Sequence, residues 1–177
     1  MEAYDAAKIG NLGESLFRNY MDGVRNPYLW VDQRRETMPA YLRRFVENAD
    51  YSGKRPDAII PVGNDIALVD VKNRKAYYDA HACGDAYFTL DKKDAERFLQ
   101  TERALGKDVL LVYRDNASKE GGWYACYFSE AMHDKRPTQR KDGTGEYYKI
   151  HQKEFGPLEE YLNGARTTEG VQRKLFN

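Results

Sequence analysis

The chain has 177 residues, 41% of them apolar and 32% charged, with 28 basic side chains set against 28 acidic ones. That length is enough for one domain with its own core, and the composition is that of a globular protein rather than a disordered or membrane-embedded one. Zero net charge excludes a general phosphate-coating role, so any contact with nucleic acid has to come from local clusters. The two cysteines, Cys83 and Cys126, form neither a CxxC pair nor a ladder, and with His81 and His133 they match no standard zinc spacing. The start, MEAYDAAKIG, lacks the basic and apolar blocks of a signal peptide, and no long apolar span follows. The expectation is a cytoplasmic protein with no membrane association and no small organic cofactor.

Ile9, Leu12, Leu16, Phe17, Tyr20 and Met21 recur at helical spacing and predict a first amphipathic helix from Asp5 to Met21, ending near Gly23. Glu14 lies beside its apolar stripe, and Gly10 and Gly13 would let another segment approach closely. A second, shorter helix is expected from Pro39 to Glu47. Arg43 and Arg44 on it, with Arg34 and Arg35 just upstream, make a basic face that could grip phosphates or simply be solvated. RPDAIIPVGNDIALVDVKNR, residues 55–74, reads as a β-hairpin, because Gly-Asn between β-rich runs is a two-residue turn signal. A third strand is predicted at Ala86 to Leu90. Asp91 can then cap a helix to about Leu105, with Ala95, Phe98 and Leu99 facing inward and Gly106 as its stop. DVLLVYR, Asp108 to Arg114, is a buried strand. Gly122 to Phe128 and Glu146 to Ile150 are expected to pair across a basic, mobile linker, HDKRPTQRKDGTG, before a short closing helix from Gly156. Residues 1–163 form one domain and 164–177 a tail.

The hairpin carries the chemistry. With Gly63-Asn64 as the turn, Asp57 falls directly opposite Asp70, at a spacing of roughly 4.5–5.5 Å between Cα atoms where like charges repel unless a cation or proton intervenes. Side chains alternate along a strand, so Lys72 shares their side. Ala58, Ile60, Val62, Ala67, Val69 and Val71 occupy the other face, and Ile59 and Leu68 keep even the acidic face partly apolar, as in a sheet covered on both sides. A hard dication such as Mg2+ keeps several waters, so two carboxylates and a backbone carbonyl are enough protein to hold it. Such an ion lowers the pKa of a water and offsets charge on a phosphate, while Lys72 orients the water.

These residues resemble the PD-(D/E)xK nuclease superfamily: Pro56-Asp57, then Asp70-Val71-Lys72, with Asp70 where the commonest form has Glu. The order of elements resembles it too, through Glu14 in IGNLGESLF, the hairpin, the Asp91 helix and DVLLVYR, over about residues 5–114. The resemblance implies an α/β (α+β), restriction-endonuclease-like αβββαβ core, its mixed central sheet flanked by helices, with a C-terminal strand pair and short helix. It implies a Mg2+-dependent endonuclease acting on DNA, with Mn2+ able to substitute and a homodimer as the assembly. In layout the chain is most similar to Holliday-junction resolvases of the archaeal type and to phage endonucleases. The implied catalytic set is Glu14, Asp57, Asp70 and Lys72, with Asp57, Asp70 and Val71 on the metal. Two other readings stand beside it. One is a non-cleaving module on the same fold that binds DNA or a protein partner, and the other a structural protein whose hairpin charges are merely solvated. Tyr77, Tyr78, Trp123 and Tyr124 could stack on bases or belong to the core.

Overall fold

The computed structural model describes residues 3–31, 53–78, 85–117 and 122–164. The expected helix from Pro39 to Glu47, the arginines Arg34, Arg35, Arg43 and Arg44, and the tail beyond Gly164 lie outside the described residues.

Helix α1 (Ala3–Gly23) leads to a short strand β1 (Leu29–Trp30) and then to the hairpin β2 (Ala58–Val62) and β3 (Asp65–Arg74). The turn is the expected one: Val62 pairs with Asp65, and Gly63 takes a positive φ of 58°, which only glycine adopts without strain. After β4 (Tyr77–Tyr78) and β5 (Ala86–Asp91) come helix α2 (Lys92–Leu105) and β6 (Val109–Asp115). Gly106 ends α2 in the left-handed conformation, its amide returned to the Glu102 carbonyl. The chain closes through β7 (Trp123–Tyr127), helix α3 (Phe128–Ala131), β8 (Thr138–Gln139), β9 (Glu146–His151), β10 (Gly156–Pro157) and helix α4 (Leu158–Leu162).

The strands form two sheets, a six-stranded one in the order β1-β2-β3-β6-β7-β10 and a four-stranded one in the order β4-β5-β9-β8. β3 and β6 run parallel at the centre of the larger sheet, the other pairs antiparallel. Alternation along β2 and β3 sends Ala58, Ile60, Val62, Ala67, Val69 and Val71 to one face, where Phe17 and Met21 of α1 and Leu158 and Tyr161 of α4 cover them. Leu68 with Leu111 and Tyr113 faces the other way, against Ala95 and Phe98 of α2 and against Phe88, Leu90 and Ile150 of the smaller sheet. The doubly covered sheet expected from the apolar residues on both strand faces is therefore present.

Four local expectations need correction. The 122–128 and 146–150 segments are not partners: β7 pairs with β6 and β10, and β9 pairs with β5 and β8. The third strand, β5, forms where expected but joins the smaller sheet, because β2 and β6 already flank β3. The basic linker between β7 and β9 is a structured hairpin, in which the Arg140 amide donates to the Gly145 carbonyl at 2.9 Å and Asp142 accepts from the amide and hydroxyl of Thr144. Asp91 does sit at the start of α2, but its carboxylate makes no cap and instead pairs with Arg140 and Arg74.

Of the two glycines singled out on α1, Gly13 is the one that matters for packing. A Cβ there would collide with Asn73 Cβ, whose side-chain amide nitrogen donates to the Ile9 carbonyl at 3.1 Å, whereas among the described residues nothing lies within 4 Å of a Cβ placed at Gly10. Gly13→Ala should therefore destabilise the fold by about 1–3 kcal/mol through overpacking, despite the better helix propensity of alanine. Urea denaturation checks this, and a variant more stable than wild type would refute the close approach.

Candidate active site

β3 is ten residues long and β2 only five, so Asp70 to Arg74 overhang the hairpin, paired with β6 on one side only among the described residues. The Leu68 amide donates to the Asp108 carbonyl, so even-numbered residues of β3 direct their backbone toward β6 and odd-numbered ones toward the β2 side. Val71 thus aims both its amide and its carbonyl at the open edge, since a strand residue points the two groups the same way. The regular register ends at Ala58↔Val69, so the expected direct pairing of Asp57 with Asp70 does not form. There the backbone bends: the Asp57 amide donates to the Val69 carbonyl at 2.7 Å, and its carboxylate accepts the Val71 amide at 2.7 Å. The Asp57 side chain thereby replaces the next strand residue.

Asp70 is fully buried. Its Oδ2 lies 2.8 Å from Lys72 Nζ, and its Oδ1 lies 2.8 Å from Lys54 Nζ. Asp94 of α2 sits between the same two ammonium groups, 3.2 Å from Lys54 and 3.5 Å from Lys72. Phe98 closes this side, its ring centroid 4.8 Å from Lys54 Nζ and 5.9 Å from Lys72 Nζ. Glu14 reaches the group from α1. Together Glu14, Lys54, Asp57, Asp70, Val71 and Lys72 line one cavity of about 760 Å³.

The charges in it are unevenly served. Burial pushes Asp70 upward, but Lys72 and Lys54 overcome that and hold it below its ordinary value. Burial likewise works against the Lys54 charge, and Asp70 and Asp94 more than restore it. Asp57 has less help: burial first, then the Asp70 charge, push its carboxyl up to about 7 against the pull of the Val71 amide, Lys72 and Lys54. Glu14 is raised as well, by burial and then by Asp70, with Arg18 opposing. Two carboxyls raised beside a third ionised one describe a site short of positive charge.

The donor set fits a hard dication. Asp57, Asp70 and Val71 line one cavity, and Asn73 Oδ1 is a further buried oxygen in the same wall without a hydrogen-bond partner among the described residues. Among those residues no three His, Cys, Asp or Glu side chains form a ready-made cage. Mg2+ does not need one, because it retains most of its water and takes one or two carboxylates.

The raised Asp57 carboxyl has a stability consequence of definite sign. Its ordinary value is 3.8 and its folded value about 7, so between these the folded chain binds more protons than the unfolded one and loses stability as pH rises. The groups facing it are Asp70, Lys72, Lys54 and the Val71 amide, and asparagine can still accept that amide. Asp57→Asn is therefore expected to be more stable than wild type at pH 8, by about 1–3 kcal/mol after allowing for partial exposure, and no more stable at pH 4. Thermal unfolding at both pH values reads this, and an equal difference at both would contradict it.

No protein-family model and no curated protein sequence matches the chain. Among solved structures, the Holliday junction resolvase Hjc from the archaeal hyperthermophile Archaeoglobus fulgidus superposes with a TM-score of 0.54 at 13% identity, over 87% of this chain and 100% of that one. The fold is restriction-endonuclease-like. D212, a nuclease from a fusselovirus, gives a TM-score of 0.42 at 13% identity, over 88% of this chain and 87% of that one.

On this fold the structure gathers five residues singled out in the sequence, Glu14, Asp57, Asp70, Val71 and Lys72, into one cavity. The four arginines lie outside the described residues. Sequence reasoning missed Lys54 and the bridging role of Asp94. Lys54 stands in an irregular segment, where no periodicity tells which way a side chain points. It is oriented by α2: its amide donates to the Thr101 hydroxyl oxygen at 2.9 Å, and that hydroxyl donates to its carbonyl at 2.8 Å. Its position three residues before Asp57 was the only available signal.

Proposed function

We propose that this chain is a Mg2+-dependent endonuclease that hydrolyses DNA phosphodiester bonds, with branched, Holliday-junction-like DNA as its substrate class. The observation that carries the reading is the meeting of Asp57, Asp70 and Lys72 at the open edge of β3, with Glu14 on the same cavity wall. Sharing a fold with a Holliday junction resolvase supports the substrate class.

Asp57, Asp70 and the Val71 carbonyl would hold the ion, with Glu14 reaching it directly or through a water, and Mn2+ would substitute for Mg2+. When bound, such an ion lowers the pKa of a water and offsets the charge that builds on the phosphate. Lys72, held 2.8 Å from Asp70, donates to the attacking water or to a phosphate oxygen. Phe98 excludes solvent behind both ammonium groups. Arg74, Lys75 and Arg140 on the cavity wall offer charge to flanking phosphates. Cutting two strands of a junction needs two such sites, so the working assembly is a homodimer, acting in the cytoplasm. No helix among the described residues is long and apolar enough to cross a membrane.

One observation favours the non-cleaving alternative: both Asp70 oxygens already face ammonium groups at 2.8 Å. Incubating the protein with linear, single-stranded and four-way-junction DNA, and with RNA, in Mg2+, Mn2+ or EDTA separates the two. Cleavage of DNA, fastest for the junction, with either dication and none in EDTA is expected. Binding without cleavage under every condition, or cleavage indifferent to EDTA, would overturn the endonuclease reading.

A further inference from the structure

The smaller sheet turns one face, with Phe88, Leu90 and Ile150, to the core, and its other face lies outside that core. Its register sets Tyr77 against Tyr87 and Tyr87 against His151, and directly opposed residues share a face. The result is an aromatic row across three strands. Tyr77 and Tyr87 stack at 5.8 Å with 26° between planes, and His151 follows at 6.1 Å from Tyr87. Thr89 with Lys149, and Asp91 with Tyr147, continue the same face. Cations lie over it: Lys149 Nζ is 4.9 Å from the Tyr87 centroid, and the Arg140 guanidinium is 5.3 Å from that of Tyr147. The inward neighbours Phe88, Leu90 and Ile150 are buried, so packing accounts for those residues and not for the outer row.

This face is continuous with the catalytic cavity. Tyr77, Thr89 and Arg140 line both that cavity and an adjoining groove of about 260 Å³, whose other walls are Tyr87, Lys141, Asp142 and Tyr147. The nearby acids are engaged: Asp91 with Arg140 and Arg74, Asp142 with Thr144, and Asp85 with Lys153. Among the described residues Tyr77, on this face, is 49% exposed, leaving one side of its ring for a partner.

We propose that this outer face is a docking track for a single-stranded DNA segment, one unpaired base stacking on Tyr77 and Tyr87 while Lys149, Arg140 and Lys141 meet its backbone. A base inside a duplex presents no ring face to such a row, whereas an unpaired one does, and cations beside the rings match its phosphates. The track deepens the nuclease reading and rests on it for its direction, since it leads the unpaired strand toward the edge of β3. It would make the enzyme prefer DNA with an unpaired stretch next to the scissile bond.

The test is the fluorescence of a short single-stranded oligonucleotide carrying 2-aminopurine, titrated with the full chain in EDTA. Binding with strong quenching is expected, against weak binding and no quenching for the same sequence in a duplex. Tyr77→Ala should weaken binding roughly tenfold and remove most of the quenching, and Tyr77→Phe should restore both. Lys149→Gln should flatten the salt dependence by about 0.7 of a unit of slope. Quenching that is equal for wild type and Tyr77→Ala, or tighter binding of an RNA oligonucleotide of the same sequence, would overturn the track. Because the assay needs no catalysis, cleavage without quenching rejects the track while keeping the nuclease. Quenching without cleavage supports the track and rejects the nuclease.

Discussion

Asp70→Asn is expected to lower the single-turnover rate of Mg2+-supported DNA cleavage by at least about a thousandfold, or ~4 kcal/mol of barrier, while the chain stays folded. The size follows from what Asp70 does in the cavity. It is fully buried, its two oxygens set the positions of Lys54 and Lys72, and it lines the same cavity as Asp57 at the edge of β3. Asparagine fills the same volume but cannot balance either lysine or offer a charged oxygen to a dication. The fold survives because both ammonium groups keep Asp94, at 3.2 and 3.5 Å, and because burying an amide costs less than burying a charge. Circular dichroism with a thermal melt separates loss of fold from loss of chemistry. A folded Asp70→Asn that cuts within tenfold of wild type would remove Asp70 from the reaction.

Residues that lie close in sequence were the legible ones. Asp57, Asp70 and Lys72 could be brought together from residue numbers because a two-residue turn at Gly63-Asn64 sets a register constant, and every observed pair of β2 and β3 obeys it. Most of the α1 stripe was legible because burial on one face repeats at helical spacing: Phe17 and Met21 are fully buried, but Leu12, expected in the same stripe, is 54% exposed. Pairing between distant strands was not legible. β7 and β9 both read as strands, yet nothing in either says that β7 lies beside β6 and β9 beside β5, since that choice is made by packing of Phe88, Tyr113 and Phe155 across the two sheets. Asp91 misled for a related reason. Local preference makes it a helix cap, but Arg74 and Arg140 approach from β3 and from the hairpin of β8 and β9, and a charged partner outweighs a neutral amide.

Lys54, which no local pattern pointed to, carries the second large effect. Lys54→Met is expected to destabilise the folded chain by about 3 kcal/mol at neutral pH, lowering the melting temperature by roughly 6–12 °C for a domain of this size. Methionine keeps the stem that packs on Phe98 but leaves the fully buried Asp70 with one ammonium instead of two. The sign with pH follows from Asp70, whose carboxyl is held below its ordinary value of 3.8, so its contribution is present above that pH and lost as pH falls through the folded value. The penalty should accordingly shrink below about pH 4. Removing the buried charge as well should relieve it, so Lys54→Met with Asp70→Asn is expected to recover more than 1 kcal/mol over the sum of the single effects. Mg2+ should stabilise Lys54→Met more than wild type, because in wild type a dication reaching Asp70 displaces an ammonium that has only Asp94 to fall back on. Simple additivity in the double variant would mean that Lys54 acts through its packing on Phe98 rather than as a counter-charge to Asp70.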